Sequence, residues 1–370
     1  MARRRRPTIY DEGIYRFFGE QPDLFEIQLG YKLFPLVDES EDGSLLQELT
    51  YCRNKIDAEY GLPLPPVHII DNIVLSPNEY SILLKGVEVG KGTVKIGYRL
   101  CIDSGCVFTK LDCSPMEKTK DPLFGLDAFF VREEDVEKYQ DAGYYCFFPE
   151  RVIRAHLYNI IKKYRTRVLN QNLVNTLIEK VRKQNPAVIS DVFFMKQFPV
   201  SDFKILLNYL LEEEVSIRDM NTILETIADY YQEDKYIYEL AEKVREQLAF
   251  NFLRNYVDRK EILHVFLVPE TICKLLIENN NSPSSKKEMP CRYLDPKDFK
   301  CLIDSVSESI AWFNDQDLVS VLLCPSPVRR LLYSVLQNEL PNVRVISDVE
   351  LNTIKNDINI QVEGEIALNG

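Results

Sequence analysis

The segment Gly86–Gly92, GVEVGKG, is the part of the chain that comes closest to a phosphate-binding loop, because it combines three glycines with one lysine. A working phosphate loop has four residues between its first glycine and the Gly-Lys pair, a Ser or Thr after the lysine to hold magnesium, and a helix behind it. Here the spacing is one residue short, Gly92 follows Lys91, and no helical pattern follows. These departures favour a β-hairpin or a β-bulge over a nucleotide site.

The histidines and cysteines form no recognisable catalytic or metal-binding pattern. The three histidines are far apart in the sequence, no GxSxG nucleophile elbow occurs, and His68 lies between apolar residues as a hydrogen-bonded structural histidine in a strand would. The nine cysteines include no CxxC pair, and the group at positions 101, 106 and 113 has no histidine near it. We therefore expect free thiols of a reducing compartment, no catalytic residue, no cofactor and no metal site.

Composition and charge narrow the class of protein. The 370 residues carry a formal net charge of −12, which argues against nucleic acid as the main partner. Hydrophobic residues make up 45% of the chain, yet no apolar run approaches the roughly 20 residues that cross a bilayer. We expect a cytosolic polypeptide whose length requires two to four subdomains.

Hydrophobic periodicity predicts a mixture of helices and strands. Residues 65–85 read as two short strands joined by a polar turn. Residues 170–250 read as helices, with capping side chains at three helix starts, Asn170, Ser201 and Ser216. Strands and helices then alternate as in an α/β subdomain, with strands at 264–268, 318–323, 343–346 and 358–362 and helices at 271–278, 298–313 and 327–340.

Four segments together resemble a known family. They are, in chain order, PPVHIIDN at 65–72, NEYSILLKGVEVGKG at 78–92, DPLFGLDAFFV at 121–131 and VSIRDMNTILETIADY at 215–230. Their composition and order resemble the cytoplasmic domain of the FlhA/SctV family, the large export-gate subunits of flagellar and virulence type III secretion systems. The match is dense from about Ile27 to Leu248. The asparagine-rich insert, the many tyrosines and the cysteines favour a virulence-type, chlamydial member.

The resemblance implies an α+β and α/β multidomain fold of four subdomains that assemble into a ring, nonameric in the family. Hinges for motion of an inserted subdomain are expected near Gly97 and Pro149. The expected parts are a linker arm at 1–22, a mixed α/β subdomain at 23–96 plus 149–168, an inserted β-rich subdomain at 97–148, a ring-building helical subdomain at 169–250 and an α/β subdomain at 251–370.

The DPLFGLD motif is the strongest candidate for function. In the resembling family, its aspartate and phenylalanine line a hydrophobic dimple that receives chaperone–substrate complexes, which gives this role to Asp121 and Phe124, with Leu123 beside them. A third dimple position, a threonine in flagellar members, aligns with Ala155, and this departure puts flagellar chaperone specificity in doubt. From the residues alone, Phe124 could equally belong to the core of the insertion.

A second group of candidates concerns assembly. In the family the helical subdomain makes the lateral contacts of the ring, so the resemblance implies that Arg218, Asp219 and Glu225 form ion pairs between protomers. Helix capping within the chain and solvated charge are the open alternatives for the same three residues.

The aromatic arm and two charged runs complete the candidates. In the family this arm packs on the adjacent protomer, which gives that role to Tyr15, Phe17 and Phe18, with docking on their own domain as the alternative. The acidic run at 212–214 and the basic face of 151–167 are expected to be solvated.

The implied function is the cytoplasmic ring of a type III secretion export gate at the bacterial inner membrane. Its expected partners are further copies of itself, chaperone–substrate complexes, gatekeepers, other export-apparatus proteins and the export ATPase complex. Two alternatives stay open. One is a nucleotide-binding enzyme on the C-terminal α/β region, where Pro327–Arg330 opens a helix after a strand and could meet an anion; the other is a soluble adaptor that forms no ring.

Overall fold

The structure, a computed structural model, describes residues 22–38, 43–103, 105, 107–113, 116–232, 236–278, 280–281, 291–292 and 294–367. The chain divides into two compact units between Val168 and Leu169. Both units combine helices with sheets, which confirms the mixed α+β and α/β fold expected from the sequence. The four subdomain boundaries stay a prediction.

The first sheet of unit 1 has four strands, and they are β1 (Phe25–Leu29), β2 (His68–Asp71), β3 (Glu79–Leu84) and β4 (Val87–Thr93). Their order is β2-β1-β3-β4, with β1 parallel to β2 and antiparallel to β3. The two strands predicted within 65–85 therefore form, but they do not pair with each other, because β1 lies between them.

The glycine-rich segment 86–92 is the second half of a hairpin, which confirms the hairpin interpretation. Lys85 and Gly86 connect β3 to β4 with φ angles of 52° and 79°, the two positive angles that a tight primed turn requires. The register shifts between Ile82 and Leu83, so a bulge is present as well. The segment is therefore part of a sheet and not a phosphate loop.

The described residues of unit 1 contain the helices α1 (Leu45–Tyr60), α2 (Val136–Asp141), α3 (Pro149–Lys163) and α4 (Arg165–Val168). Short 3₁₀ turns cover Tyr31–Leu36 and Glu133–Asp135. The long helices α1 and α3 pack on each other, and α3 also packs on β4.

The second sheet of unit 1 is built from β5 (Tyr98–Ile102), β6 (Glu117–Lys120), β7 (Asp127–Arg132) and β8 (Tyr145–Phe147). Its order is β6-β7-β5-β8, and every pair is antiparallel. An aromatic core of Phe129, Tyr139 and Tyr144 joins the sheet to α2.

In the part of unit 2 that the structure describes, the first helices are α5 (Gln171–Gln184), α6 (Pro186–Ser190), α7 (Val200–Glu212), α8 (Met220–Tyr230) and α9 (Ile237–Leu253), with a π-helical turn at Asp191–Met195. Asn170 caps α5 as predicted, because its side chain accepts a hydrogen bond from the Leu173 amide at 2.9 Å. The two serine caps were wrong. Helix α7 starts one residue before Ser201 without a side-chain cap, and Asp219 rather than Ser216 caps α8.

The C-terminal part of unit 2 is a parallel sheet flanked by helices. Its strands are β9 (Ile262–Leu267), β12 (Val321–Cys324), β13 (Arg344–Ser347) and β14 (Asn359–Glu365), in the order β13-β12-β9-β14. A separate two-stranded pair comprises β10 (Asn280–Asn281) and β11 (Cys291–Arg292). The helices are α10 (Glu270–Glu278), α11 (Pro296–Asp315), α12 (Ser326–Leu336) and α13 (Asp348–Asn352).

Apolar residues of the two central strands of this parallel sheet, β9 and β12, are buried. Leu263 and Val265 in β9 and Val321 and Leu322 in β12 have almost no exposed surface, as expected for strands with covered faces. Among the described residues, no helix combines the length and apolar character that a membrane span requires.

Candidate functional site

The loop between β6 and β7, residues Asp121–Leu126, is a turn shaped by a single carboxylate. Asp121 Oδ2 accepts hydrogen bonds from the backbone amides of Leu123 at 3.2 Å and Phe124 at 2.8 Å. The Asp121 backbone bonds across the turn as well, accepting from Gly125 N at 2.9 Å and donating to Leu126 O at 2.8 Å. Four hydrogen bonds thus hold the turn in one shape.

The turn Asp121–Leu126 buries its carboxylate and exposes its aromatic side chain. The Asp121 side chain is buried, whereas Phe124 is 74% exposed and Leu126 is also exposed. Leu123 is half-buried. The open alternative that Phe124 belongs to the core of the insertion is therefore wrong, since that core is formed by other rings.

A buried pair of polar side chains is influenced by the charge of Asp121. Tyr80 Oη and His156 Nδ1 are 2.9 Å apart, and both side chains are buried. Burial lowers the pKa of His156, which favours the neutral ring, while the negative charge of Asp121 acts in the opposite direction. Burial and the charge of Asp121 both raise the pKa of the Tyr80 hydroxyl.

Two glycines of β4 make room for this pair. A Cβ added to Gly90 would lie 2.8 Å from His156 Nε2, and one added to Gly92 would lie 2.6 Å from Tyr80 Oη. Both distances are too short for a side chain, so α3 and Tyr80 pack directly on the β4 backbone. The glycine spacing that suggests a phosphate loop serves this close packing.

Ala155, the fourth docking candidate, lies one residue before His156 on α3 and is half-buried. It lines a cavity of about 120 Å³ with Arg154 and Tyr158 of its own helix and with Tyr51, Cys52 and Lys55 of α1. No residue of the turn Asp121–Leu126 lines that cavity, so the structure brings three of the four candidates together and places Ala155 at a separate cavity.

The assembly candidates on α8 divide into one capping residue and two exposed charges. Asp219 accepts hydrogen bonds from Thr222 N at 3.2 Å and Thr222 Oγ1 at 2.8 Å, and from Asn251 Nδ2 at 3.4 Å. Intramolecular capping therefore describes Asp219. Arg218 and Glu225 are exposed on the surface of unit 2. The arm residues Tyr15, Phe17 and Phe18 lie outside the described residues.

The acidic run 212–214 is not a solvated face, contrary to expectation. Glu213 is buried and lies within ion-pair distance of three guanidinium groups, those of Arg245 (3.1 Å), Arg329 and Arg330. Although burial raises it, these three cations hold the pKa of Glu213 well below its usual range. The pattern misled because all of the partners are remote in sequence.

The rest of this charge cluster ties α12 and β13 to α7 and α9. Arg329 also donates to Glu242 on α9, and Arg330 Nη2 donates to Glu212 at 2.8 Å. Arg344 Nη2 donates to Glu214 at 2.7 Å. The two arginines of the segment Pro327–Arg330 thus meet an anion, as that pattern suggested, but the anion is a set of glutamates within the chain.

Two further expectations need correction. Cys101 and Cys146 form a disulfide between paired positions of β5 and β8, with Cα atoms 4.2 Å apart, so the expectation of free thiols fails for these two cysteines. On the basic face of α3, Arg154 donates to Glu48 on α1 at 2.6 Å, so that face is partly paired and not wholly solvated.

The model of the FHIPEP family matches residues 18–356. The chain belongs to the FHIPEP family. The chain is similar to the flagellar biosynthesis protein FlhA of Treponema pallidum, 29% identical over 348 residues, and to that of Escherichia coli K12, 31% identical over 330 residues. These matches cover 94% and 89% of this chain but 48% and 46% of the relatives, so the chain spans about half the length of the curated FHIPEP relatives it matches.

Solved structures show the same fold for this FHIPEP chain. The Chlamydia pneumoniae CdsV protein aligns with a TM-score of 0.78 at 23% identity, covering 94% of this chain and 99% of that one. The nonameric EscV cytosolic domain from a type III secretion system aligns with a TM-score of 0.70 at 20% identity, covering 95% and 98%. The predicted resemblance to the cytoplasmic portion of FlhA/SctV proteins is thereby confirmed.

Proposed function

We propose that this chain forms the cytosolic ring of a type III secretion export gate and docks chaperone–substrate complexes on the turn Asp121–Leu126. The family membership supports the role in protein export. The nonameric state of the EscV cytosolic domain, whose fold this chain shares over nearly its whole length, supports the ring. The further refinement to a virulence-type member is part of the same proposal.

One observation carries the docking part, namely a phenylalanine that is 74% exposed on a turn of fixed shape. Large aromatic side chains are enriched among the residues that dominate binding energy at protein interfaces. Because the Asp121 carboxylate already orders the turn, little conformational entropy is lost when a partner covers Phe124. The turn thus offers a preorganised apolar contact to a partner.

The mode of action proposed is positional and not catalytic. Partners bind to the ring and are brought to the export channel, while the insertion moves about hinges near Gly97 and Pro149. The positive φ of 78° at Gly97 supports a hinge there, since glycine adopts such angles readily. The ring would lie at the cytoplasmic face of the bacterial inner membrane.

Further partners follow by analogy with relatives. A structure of the Chlamydia pneumoniae CdsV and CdsO protein complex has a TM-score of 0.75 to this chain. We propose that this chain binds a counterpart of CdsO, together with gatekeepers, export-apparatus proteins and the export ATPase complex. The nucleotide-binding alternative loses its support because Arg329 and Arg330 are buried among glutamates of the same chain.

The docking proposal is tested by Phe124→Ala in a binding titration with chaperone–substrate complexes of the same secretion system. We expect affinity to fall at least tenfold, because about 1.4 kcal/mol or more is typical for a dominant interface aromatic. Phe108→Ala is a matched control, since Phe108 is 76% exposed on the same insertion. Equal affinity of the Phe124→Ala variant and the wild type would remove the docking assignment.

The ring proposal is tested by charge reversal at the exposed residues of α8. Arg218→Glu and Glu225→Lys should each weaken assembly in sedimentation velocity over a range of concentrations, whereas Lys180→Glu on the exposed side of α5 should not. Asp219 is a poor probe, because its reversal would also remove a helix cap. Unchanged assembly in both α8 variants would refute the lateral contact.

Deletion of residues 1–21 should lower ring stability if Tyr15, Phe17 and Phe18 dock on the neighbouring protomer.

A further inference from the structure

Three side chains with metal-binding chemistry converge at the β1–β2 side of the first sheet. Donor atoms of Asp23, Glu26 and His68 all lie within 4.8 Å of one another. His68 Nδ1 is 2.7 Å from Asp23 Oδ2, and both side chains are about half exposed. Glu26 is buried beside them. We propose that these three residues bind a divalent transition-metal ion, and specifically zinc.

The backbone fixes the positions of the three ligands. Glu26 and His68 are directly paired positions on the parallel strands β1 and β2. Asp23 lies two residues before β1 and reaches the same place. Because two of the ligands stand on paired strands, their approach does not depend on a mobile loop.

Two amide side chains orient the buried carboxylate. Gln28 Nε2 donates to Glu26 Oε1 at 2.7 Å, and Asn72 Nδ2 donates to Gln28 Oε1 at 2.6 Å. Such hydrogen bonds to a ligating carboxylate are typical of metal sites, where they set its direction and raise affinity. A buried, oriented carboxylate next to an exposed histidine and aspartate is therefore prepared for a cation.

His264 shows the arrangement that does not suit an ion. Its Nδ1 faces Glu363 at 2.6 Å and its Nε2 faces Asp258 at 3.5 Å, so the two carboxylates lie at different nitrogens of the ring. An ion bound to one ring nitrogen of His264 would therefore lie next to only one of the two carboxylates. At His68 one ring nitrogen and two carboxylates lie within 4.8 Å of one another, and this difference separates the proposed chelating group from an ion-paired histidine.

The donor set indicates the kind of metal. One imidazole nitrogen and two carboxylate oxygens suit zinc, which binds such ligands at about 2.0–2.2 Å, whereas magnesium and calcium prefer oxygen ligands alone. Three protein ligands leave a fourth position of a tetrahedral zinc ion for water or for a group of another molecule. Binding would replace the hydrogen bond between His68 and Asp23 by two bonds to the ion.

The test is a calorimetric titration of the whole chain with zinc chloride, in buffer without chelator and with thiols reduced. The wild type should show one binding equivalent that His68→Ala and Asp23→Asn lack. Asp127→Asn is the matched control, because Asp127 is an exposed aspartate of the same unit that lies outside the three-residue group. Gln28→Met should weaken the same equivalent by about 10- to 100-fold.

Cobalt(II) spectra separate this site from the cysteines. The equivalent lost in His68→Ala should give ligand-field bands without a sulfur-to-cobalt charge-transfer band. Zinc should also raise the melting temperature of the wild type more than that of His68→Ala, since an ion that binds only the folded state stabilises it. Equal stoichiometry and affinity in the wild type and His68→Ala would overturn the proposal.

Discussion

Two buried carboxylates of this chain have the same exposure and opposite roles. Asp121 and Glu213 are each 6% exposed. Asp121 accepts hydrogen bonds from the backbone amides of Leu123 and Phe124, two and three residues away. Glu213 lies among guanidinium groups of residues up to 117 positions away. The partners, and not the depth of burial, decide what a buried carboxylate does.

The difference separates local shape from long-range cohesion. Neutral amide partners let Asp121 shape one turn and present Phe124, whereas cationic partners let Glu213 hold α7 to α9 and α12. Replacement of Asp121 should therefore change the structure only within a few residues of the turn. Loss of Glu213 leaves three arginines without their central anion and should be felt throughout unit 2.

The largest effect is expected for Glu213→Gln, which should lower the free energy of unfolding by about 3–5 kcal/mol, because it removes the anion that three buried arginines share. Urea unfolding followed by tryptophan fluorescence measures it, since the single tryptophan, Trp312, packs against Phe266 and Phe313 in unit 2. Glu179→Gln, an exposed glutamate of α5 paired with Arg182, is the control and should change stability by about 0.5 kcal/mol at most. A loss no larger than that of the control would show that the arginines are stabilised without Glu213.

Lowering the pH should reduce the stability difference between the wild type and Glu213→Gln. The pKa of Glu213 is lowered in the folded state by its arginines, so its contribution is fully present above the unfolded value of about 4.5 and is lost as pH falls towards the folded value. Glu350 acts in the opposite sense, because burial raises its pKa, and its contribution is full at low pH and is lost as pH rises through the folded value.

The stability gap between the wild type and Glu213→Gln should therefore shrink below about pH 4.5, by up to roughly 1.4 kcal/mol per pH unit. Urea titrations of both proteins between pH 6 and pH 3 measure it. Because both proteins retain Glu350, its opposite contribution largely cancels in the difference. A gap that stays constant over this range would mean that Glu213 is not the group that titrates.

A smaller and local effect is expected for Asp121→Ala, which removes two hydrogen bonds and should cost about 1–2 kcal/mol. The amides of Leu123 and Phe124 should then exchange with deuterium faster, while amides of β7, such as that of Phe129, keep their protection. Uniform acceleration throughout the second sheet would show that Asp121 supports the whole insertion and not only its turn.

The sequence predicts the local half of this comparison better than the remote half. Apolar runs and helix periodicity predict the strands of the C-terminal sheet and their helices to within a few residues, because both are local signals. The resemblance pointed to Asp121 and Phe124, but an Asp-Pro turn followed by an aromatic suits a surface and a core equally. Only the structure shows that the Phe124 side chain is exposed.

The remote half needs contacts that spacing does not reveal. The three consecutive glutamates at 212–214 and the two arginines at 329–330 are each visible in the sequence, but nothing in their spacing shows that they contact each other. Cys101 and Cys146 are 45 residues apart and meet only because β5 pairs with β8. The occurrence of opposite charges on separate apolar helices is the sequence signal that could have predicted the charge cluster.

The smallest effect on stability is expected for Phe124→Ala, about 0.5 kcal/mol or less, because an exposed ring contributes little to folding. Phe129→Ala, five residues further along, should cost about 3–5 kcal/mol, since Phe129 packs against Tyr139 and Tyr144 in the aromatic core of the second sheet. Near-ultraviolet circular dichroism of the tyrosines during thermal unfolding follows both variants. If Phe124→Ala lost as much stability as Phe129→Ala, Phe124 would be a core residue. The turn around Asp121 would then help to hold the insertion together, and its contrast with the charge cluster around Glu213 would be wrong.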